Sequence, residues 1–212
     1  SECLVGSEMC IRDRFPLDGG KPEAYEFTDY RGGDINVPAG RYRALCVNSD
    51  TESVLYRNID FFGSFEAYAP DGVLSVRGFS VPRVKGTSEE RIARSPDRLY
   101  SDRLDDVTIE LSKENQTVVL YPELSVCRYR VKIMNVSNLK YISSNGLSGA
   151  LSGMSGGLLM GPNDLTLDVV TVPFEVVSDG ISTLTADFWV FGQIGLDGPV
   201  HQLVIYVIMA DG

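Results

Sequence analysis

Apolar and polar residues alternate along most of the chain, and this period of two predicts β-strands. The clearest example is residues 127–133, in which one face carries Cys, Tyr, Val and Ile and the other carries Arg and Lys. An apolar face opposite a polar face is typical of a half-buried strand. No window shows the 3.6-residue period of an amphipathic helix. Similar runs, rich in Val, Ile, Tyr, Phe and Thr, occupy residues 24–28, 41–48, 53–58, 73–76, 107–111, 117–121, 165–172, 181–191 and 202–209.

Short clusters of Gly, Asp and Pro separate these runs, as expected where a chain turns between strands. Strand after strand without helical periodicity predicts an all-β protein, and sandwiches fit the pattern better than a closed barrel. The length of 212 residues is enough for one large or two modest domains. The turn clusters lie at residues 18–20, 31–34, 38–40, 71–72, 178–180 and 196–198.

A change in composition divides the chain. Residues 77–103 are rich in Arg, contain Pro82 and Pro96, and lack apolar alternation, which predicts a long loop or linker. We therefore expect an N-terminal sandwich domain at residues 15–103, with this loop at its end, and a C-terminal sandwich domain at residues 104–212. Both lengths lie in the usual range of domain sizes.

The charge narrows the classes of partner. The chain has 29 acidic and 19 basic residues and a net charge of −10. This balance argues against nucleic acid binding, because phosphate contacts need a concentrated basic face. The longest apolar run, residues 203–210, is too short for a helix across a bilayer, which needs about 20 residues.

Both ends of the chain have features of a truncated sequence. Residues 4–14 resemble the in-frame translation of a sequencing-library transposase adapter, so we interpret residues 1–14 as an artefact, with a natural strand or signal segment as the alternative. Residues 15–17 then enter a turn, and the apolar run 203–210 ends in Asp-Gly at 211–212, a hairpin signal. We expect at least one strand to be missing at each end, which leaves both sandwiches incomplete.

Candidate chemistry is sparse. With residues 1–14 set aside, Cys46 and Cys127 remain, both in strand-like patterns, and two buried thiols explain them more simply than a mutual disulfide. The lone His201 completes no Ser-His-Asp signature and, with two dispersed cysteines, no usual zinc ligand set. We expect it on the surface or on an edge strand. The sequence therefore predicts no catalytic, cofactor-binding or metal-binding residues, and no cofactor.

Three further segments have a simple structural interpretation. The Gly/Ser-rich stretch 145–161 lacks the Lys-Ser/Thr of a phosphate loop, so we interpret it as a tight β connection whose backbones approach closely. Trp189 lies in an apolar run and is expected in the core rather than stacked on a sugar. The acidic pairs at 89–90 and 105–106 are expected in solvated loops rather than in a glycosidase site.

A series of short motifs, in order along residues 15–212, resembles one family. They are residues 33–51 (GDINVPAGRYRALCVNSDT), 120–122 (LYP), 136–141 (VSNLKY) running into 151–154 (LSGM), and 172–175 (VPFE) with 178–180 (SDG). Together they resemble the Bacteroides-type fimbrillin-like lipoproteins, in particular an uncharacterised domain family related to minor-fimbria anchor subunits. The family's lipoprotein signal and its first and last strands have no counterpart here, which the expected truncation explains.

The resemblance implies two tandem transthyretin-like (Ig-like Greek-key) β-sandwich domains, export, and residence at the outer-membrane surface through a lipidated Cys outside this chain. It also implies a non-enzymatic structural or adhesive role as a stalk, anchor or tip piece of a fimbria, with other fimbrial subunits as partners through β-strand addition. A ligand or glycan on a host or bacterial surface is a second class of partner that this role allows. The alternative function is a surface glycan-binding lipoprotein of a polysaccharide-uptake system.

Overall fold

The computed structural model describes residues 10–28, 31–195 and 200–210, and they are built almost entirely from strands, which confirms the all-β prediction. Among these residues a 3-10 turn at Leu139–Tyr141 is the only helical segment, and the described residues contain no helix long and apolar enough to cross a membrane. The strands are β1 (Cys10–Pro16), β2 (Glu23–Phe27), β3 (Gly40–Asn48), β4 (Leu55–Arg57), β5 (Glu66–Tyr68), β6 (Ser75–Val76), β7 (Phe79–Ser80), β8 (Arg91–Ile92), β9 (Tyr100–Ile109), β10 (Glu123–Leu124), β11 (Cys127–Ile133), β12 (Ile142–Ser155), β13 (Gly157–Leu159), β14 (Asp164–Leu165), β15 (Val169–Glu175), β16 (Val177–Ser178), β17 (Leu184–Val190) and β18 (Leu203–Met209).

The chain forms two compact units, and neither is continuous in sequence. Unit 1 contains the described residues up to Ala67 together with Arg98–Ser125 and Leu159–Asp164. Unit 2 contains Tyr68–Asp97, Val126–Leu158 and the described residues from Leu165 onward. The predicted division between residues 103 and 104 does not coincide with these units. The reason is β9, which runs through that position and pairs along β3 in unit 1.

Unit 1 contains a five-stranded antiparallel sheet with the order β10-β9-β3-β1-β2. Its central strand, β3, buries Leu45, Cys46 and Val47 one after another, so both faces of the strand are covered. The ring of Phe15 meets the rings of Phe62 and Phe65 edge-on, with centroids 5.4 and 6.4 Å away. This aromatic cluster packs the end of β1 against the 61–65 segment.

The segment interpreted as an adapter artefact is only partly described. Residues 1–9 lie outside the described residues, whereas residues 10–14 form the first part of β1, which pairs with β2 and β3. The artefact interpretation therefore stays a prediction. Outside the described residues also lie the hairpin signal at 211–212 and the predicted turn at 196–198.

Unit 2 is a sandwich of two sheets. One sheet has the order β18-β12-β15-β8 and the other β11-β17-β16. β8 runs parallel to β15, and the other strand pairs of these two sheets are antiparallel. Phe174 of β15 and Phe188 of β17 are buried and stack face to face, with ring centroids 4.0 Å apart. This contact joins the two sheets at the centre of the core.

Residues 77–103 differ from the solvated linker that the sequence predicts. They include β7, β8 and the start of β9, and Val84, Ala93 and Leu99 are almost fully buried. Glu90 is buried as well, and its carboxylate accepts a hydrogen bond of 2.7 Å from the hydroxyl of Thr171. The apolar residues that anchor this segment are irregularly spaced, so no periodic pattern marks them in the sequence.

Candidate functional site

The edge strand β11 is an exposed feature of unit 2 with regular backbone geometry. It pairs with β17 over all seven of its residues, from Cys127 opposite Val190 to Ile133 opposite Leu184, without a register shift. β11 is the outermost strand of its sheet, and no strand of the described chain pairs with its other side. One side of β11 therefore presents unpaired main-chain groups, the usual template for pairing with another strand.

The side chain of Ser95 shows which main-chain groups face the open side. Its hydroxyl donates to the carbonyl of Trp189 (2.9 Å) and accepts from the N–H of Trp189 (3.0 Å), so both groups point away from β11. Trp189 and its partner Arg128 are therefore a non-hydrogen-bonded pair. Hydrogen-bonded and non-hydrogen-bonded pairs alternate along an antiparallel ladder. The N–H and C=O groups of Arg128, Arg130 and Lys132 therefore point to the open side.

The inner face of β11 carries a half-exposed apolar row. Tyr129, Val131 and Ile133 alternate along the strand and are only partly buried. The Tyr129 ring stacks on Phe188 at 5.7 Å, and Phe188 stacks on Phe174, so three aromatic rings run from the core to the edge of the sheet. An added strand would cover the outer end of this stack and the apolar row beside it.

The outer face of β11 is basic. Arg128 forms two hydrogen bonds to the carboxylate of Asp187, at 2.7 and 2.6 Å, and Arg130 reaches the same carboxylate at 3.3 Å. The hydrogen bonds from Arg128 lower the pKa of Asp187, and Asp187 in turn raises the pKa of Arg128. Lys132 lies opposite the uncharged Thr185 and is exposed. The row therefore keeps a net positive charge.

Two sequence expectations for this sheet were wrong. Trp189 lies on the outer face of β17 rather than in the core, half-buried beneath the Arg128 guanidinium, which is 5.5 Å from its ring centroid. Cys127 is an exposed free thiol at the start of β11, so it forms no disulfide with Cys46. Cys46 is fully buried, as expected. The local pattern around Cys127 does not indicate that β11 lacks an outer neighbour, which is what exposes this side chain.

The second long edge strand of unit 2, β18, is more covered than β11. Leu203, Val207 and Met209 are substantially exposed there. However, the hydroxyl of Tyr206 donates a 2.8 Å hydrogen bond to the carbonyl of Pro82. A loop of the same unit thus contacts a side chain of β18, and the ladder of β18 with β12 contains a register shift, so β11 with its regular ladder is the better candidate for an assembly edge.

The Gly/Ser-rich segment has a packing role. It is mostly strand, β12 and β13, rather than a connection between strands. Side chains of other residues approach its backbone closely, because a Cβ at Gly149, Gly153 or Gly156 would overlap the side chain of Phe174, His201 or Asp168, respectively. At Gly153 the backbone also has a positive φ of 75°.

The other residues considered for chemistry do not converge on a site. His201 is half-buried just before β18, and neither ring nitrogen has a hydrogen-bond partner among the described residues. Asp106 forms an ion pair with Arg41, Glu89 is exposed, and Glu90 is buried. Within residues 10–28, 31–195 and 200–210 there is no group of three or more His, Cys, Asp or Glu side chains placed to hold a metal ion.

Comparisons with known proteins connect the chain to fimbrial proteins. Over 180 residues it is 28% identical to a candidate fimbrium anchoring subunit, Fim4B, of Bacteroides ovatus. This match covers 85% of the chain and 50% of that protein, so the chain spans about half the length of the curated relative it matches. The sequence resemblance to Bacteroides fimbrial proteins is confirmed.

Solved structures share the fold. A candidate adhesin from Bacteroides ovatus matches with a TM-score of 0.75 and 23% identity, covering 98% of this chain and 74% of its own. A candidate polysaccharide-binding protein from Bacteroides thetaiotaomicron matches with a TM-score of 0.60 and 11% identity, covering 95% and 68%. The fimbrial anchor protein Mfa2 from Porphyromonas gingivalis matches with a TM-score of 0.56 and 14% identity, covering 94% and 69%.

A family model assigns the chain directly. The model described as a domain of unknown function, DUF5119, matches residues 8–175, which is most of the chain and includes β11, β12 and β15. The match thus contains the open edge of β11 and the Gly149–Phe174 contact behind it. The chain belongs to the DUF5119 family.

Proposed function

We propose that this chain is part of a non-enzymatic cell-surface protein, a structural or adhesive component of a fimbria that takes up a strand from a neighbouring subunit along β11. The similarity to Fim4B and the fold shared with Mfa2 support a fimbrial role. The fold shared with an adhesin supports an adhesive contribution. The location that fits this role is the outer membrane, which the protein reaches as an exported lipoprotein.

The observation that carries strand uptake is the open edge of β11 next to a half-exposed apolar row. An added antiparallel strand would make two main-chain hydrogen bonds at each of Arg128, Arg130 and Lys132. Its alternate apolar side chains would cover Tyr129, Val131 and Ile133. Main-chain hydrogen bonds then provide affinity and the apolar contacts provide register, as in other cases of β-strand addition.

The cellular location is the first test. Antibodies raised against the purified chain are applied to intact cells that express it, and bound antibody is located by immunogold electron microscopy. Gold particles on surface fibres are the expected result. A protein found only as a monomer in the periplasm contradicts the proposal.

Strand uptake is tested by two substitutions at one position. Arg130→Pro removes an N–H that points to the open side and leaves the ladder to β17 intact, whereas Arg130→Ala removes the same charge and keeps the N–H. Crosslinking to neighbouring subunits on cells is expected to be about tenfold lower for the Pro variant than for the Ala variant. Equal crosslinking of the two folded variants contradicts the use of this edge.

Binding of a surface glycan is the second candidate function. One solved relative is described as polysaccharide-binding, and Phe61, Phe79 and Tyr121 are 70, 67 and 75% exposed in this chain. Exposed aromatic rings provide rigid, amphipathic contact area. Binding to cell-surface polysaccharides that one of the substitutions Phe61→Ala, Phe79→Ala or Tyr121→Ala abolishes would favour this function. Absence of binding to any polysaccharide tested excludes it.

A further inference from the structure

The basic row on β11 is unusual in a chain with a net charge of −10. Arg128, Arg130 and Lys132 occupy alternate positions on one face and are all exposed. Asp187 pairs with the two arginines and neutralises part of their charge. Lys132 has no acidic residue opposite it on β17, where its partner is Thr185. The face that borders the open edge therefore stays positive.

The backbone geometry places an added strand directly beside this row. The N–H and C=O groups that point outward belong to the same three basic residues, so an antiparallel strand puts one residue opposite each of them. Residues directly opposite each other in an antiparallel pair have their side chains on the same face, about 4.5–5.5 Å apart at Cβ. Three alternate side chains of the partner thus lie beside Arg128, Arg130 and Lys132.

We propose that β11 selects a partner strand with Asp or Glu at these three alternate positions and apolar residues between them. This inference rests on the strand uptake proposed above. Opposite charges directly across a strand pair are favourable and like charges are unfavourable, so the row favours acidic strands over neutral ones and excludes basic ones. It also sets register, because a shift by one residue turns the carboxylates towards the apolar face.

Three peptides test the charge selection. Each has nine residues, with Val alternating with Glu, Thr or Lys, and binding to the purified 212-residue chain is measured by fluorescence anisotropy at low ionic strength. The Glu peptide is expected to bind about tenfold more tightly than the Thr peptide, and the Lys peptide more weakly than both. Added salt is expected to reduce these differences.

Two charge reversals separate local from overall charge effects. Lys132→Glu is expected to reduce the preference for the Glu peptide by about threefold or more, because it introduces a like charge directly opposite a carboxylate. Lys85→Glu changes the net charge by the same amount at an exposed position of unit 2 outside β11 and is expected to leave the preference unchanged. An equal effect of both variants overturns selection by the row.

Cys127 reports the register of the bound strand. Its own N–H and C=O point to β17, so a partner residue opposite it on the open side forms a non-hydrogen-bonded pair with a Cα separation of about 4.5 Å, within the range of a disulfide. In a variant with Cys3→Ser and Cys10→Ser, a Glu peptide with a pyridyl-disulfide-activated Cys opposite Cys127 is expected to form the mixed disulfide. A peptide whose Cys is placed one residue away is expected to form at least tenfold less mixed disulfide. The same reduction is expected for the Cys127→Ser variant.

The outcomes distinguish this inference from the proposed function. Equal binding of the Glu and Thr peptides, with crosslinking at Cys127, overturns acidic selection and leaves strand uptake in place. Absence of binding and of crosslinking for every peptide overturns both. Binding of heparin that Lys132→Glu weakens, without crosslinking of the Glu peptide, also overturns both and assigns the row to an anionic glycan.

Discussion

The ring of Phe174 occupies the space that a side chain on Gly149 would need. A Cβ on Gly149 would lie closer than 3.0 Å to three atoms of this ring. Gly149 and Phe174 are direct partners in the β12–β15 ladder. The Phe174 ring stacks on Phe188, which in turn stacks on Tyr129 at the edge of the sheet. The absence of a side chain at Gly149 is thus a condition for the aromatic stack that ends at the candidate assembly edge.

Gly149→Ala is expected to destabilise unit 2. The added methyl group must displace the Phe174 ring within a packed core, and such overpacking costs about 1–3 kcal/mol. Urea denaturation measures the free energy of unfolding. Gly195→Ala is the matched control, because a Cβ there meets no atom within 4 Å, and it is expected to change the stability little. Equal stability of the Gly149→Ala variant and the unmodified chain would contradict the packing role.

Thr171→Val is expected to destabilise the junction of β8 and β15. The hydroxyl of Thr171 donates a hydrogen bond of 2.7 Å to the buried Glu90 carboxylate, which also accepts a hydrogen bond of 3.3 Å from the N–H of Gly153. Removing a donor to a buried carboxylate costs about 1–3 kcal/mol. Thermal unfolding gives the change in stability, with the exposed Thr185→Val as control. A control that loses as much stability as Thr171→Val would exclude this explanation.

Asp179 is expected to make stability depend on pH in acid. Its carboxylate accepts hydrogen bonds from the N–H groups of Thr183, Ile181 and Ser182, and these lower its pKa from 3.8 to about 2. Because the pKa is lower in the folded state, the stabilisation is complete above pH 3.8 and is lost as pH falls through about 2.

Thermal unfolding between pH 5 and 2 measures this dependence. Asp179→Asn is expected to lower Tm at pH 5. The difference in Tm between this variant and the unmodified chain is expected to become smaller towards pH 2. Asp60→Asn removes one negative charge at another exposed position and serves as the control. A Tm difference between Asp179→Asn and the unmodified chain that stays constant over this range would contradict the assignment.

The two cysteines are expected to differ in reactivity. Cys127 is exposed and Cys46 is fully buried. In a variant with Cys3→Ser and Cys10→Ser, Ellman's reagent is expected to titrate one thiol in the native protein and two in denaturant. Adding Cys127→Ser is expected to remove the native signal. Rapid labelling of two thiols without denaturant would show that β3 is accessible.

Strands with clean alternation were predictable. The strand expected at 127–133 is β11, residue for residue, because its apolar and basic side chains lie on opposite faces. The run 117–121 has similar residue types but forms no strand, since composition alone does not provide a neighbour to pair with. β12 was not predicted as a strand, because its Gly and Ser residues carry no apolar pattern.

Errors in predicted burial have one cause. Trp189 has bulky apolar neighbours on both sides, which suggests a core position, yet the alternation of β17 places it on the outer face under Arg128. Cys127 belongs to the apolar face of β11, yet it is exposed. In both cases the residue type predicted burial, whereas the place of the residue in the sheet decided it: an outward-facing position on β17 for Trp189 and an edge strand for Cys127.

Local sequence was therefore sufficient for the all-β class, for most of the long strands and for the basic row beside an apolar row on β11, because side-chain alternation depends only on the residues of one strand. The order of strands in a sheet depends on contacts between residues far apart in sequence, such as Tyr129 with Phe188. The tertiary structure alone decided that β11 is outermost among the described strands, and thus that its basic row borders unpaired main-chain groups.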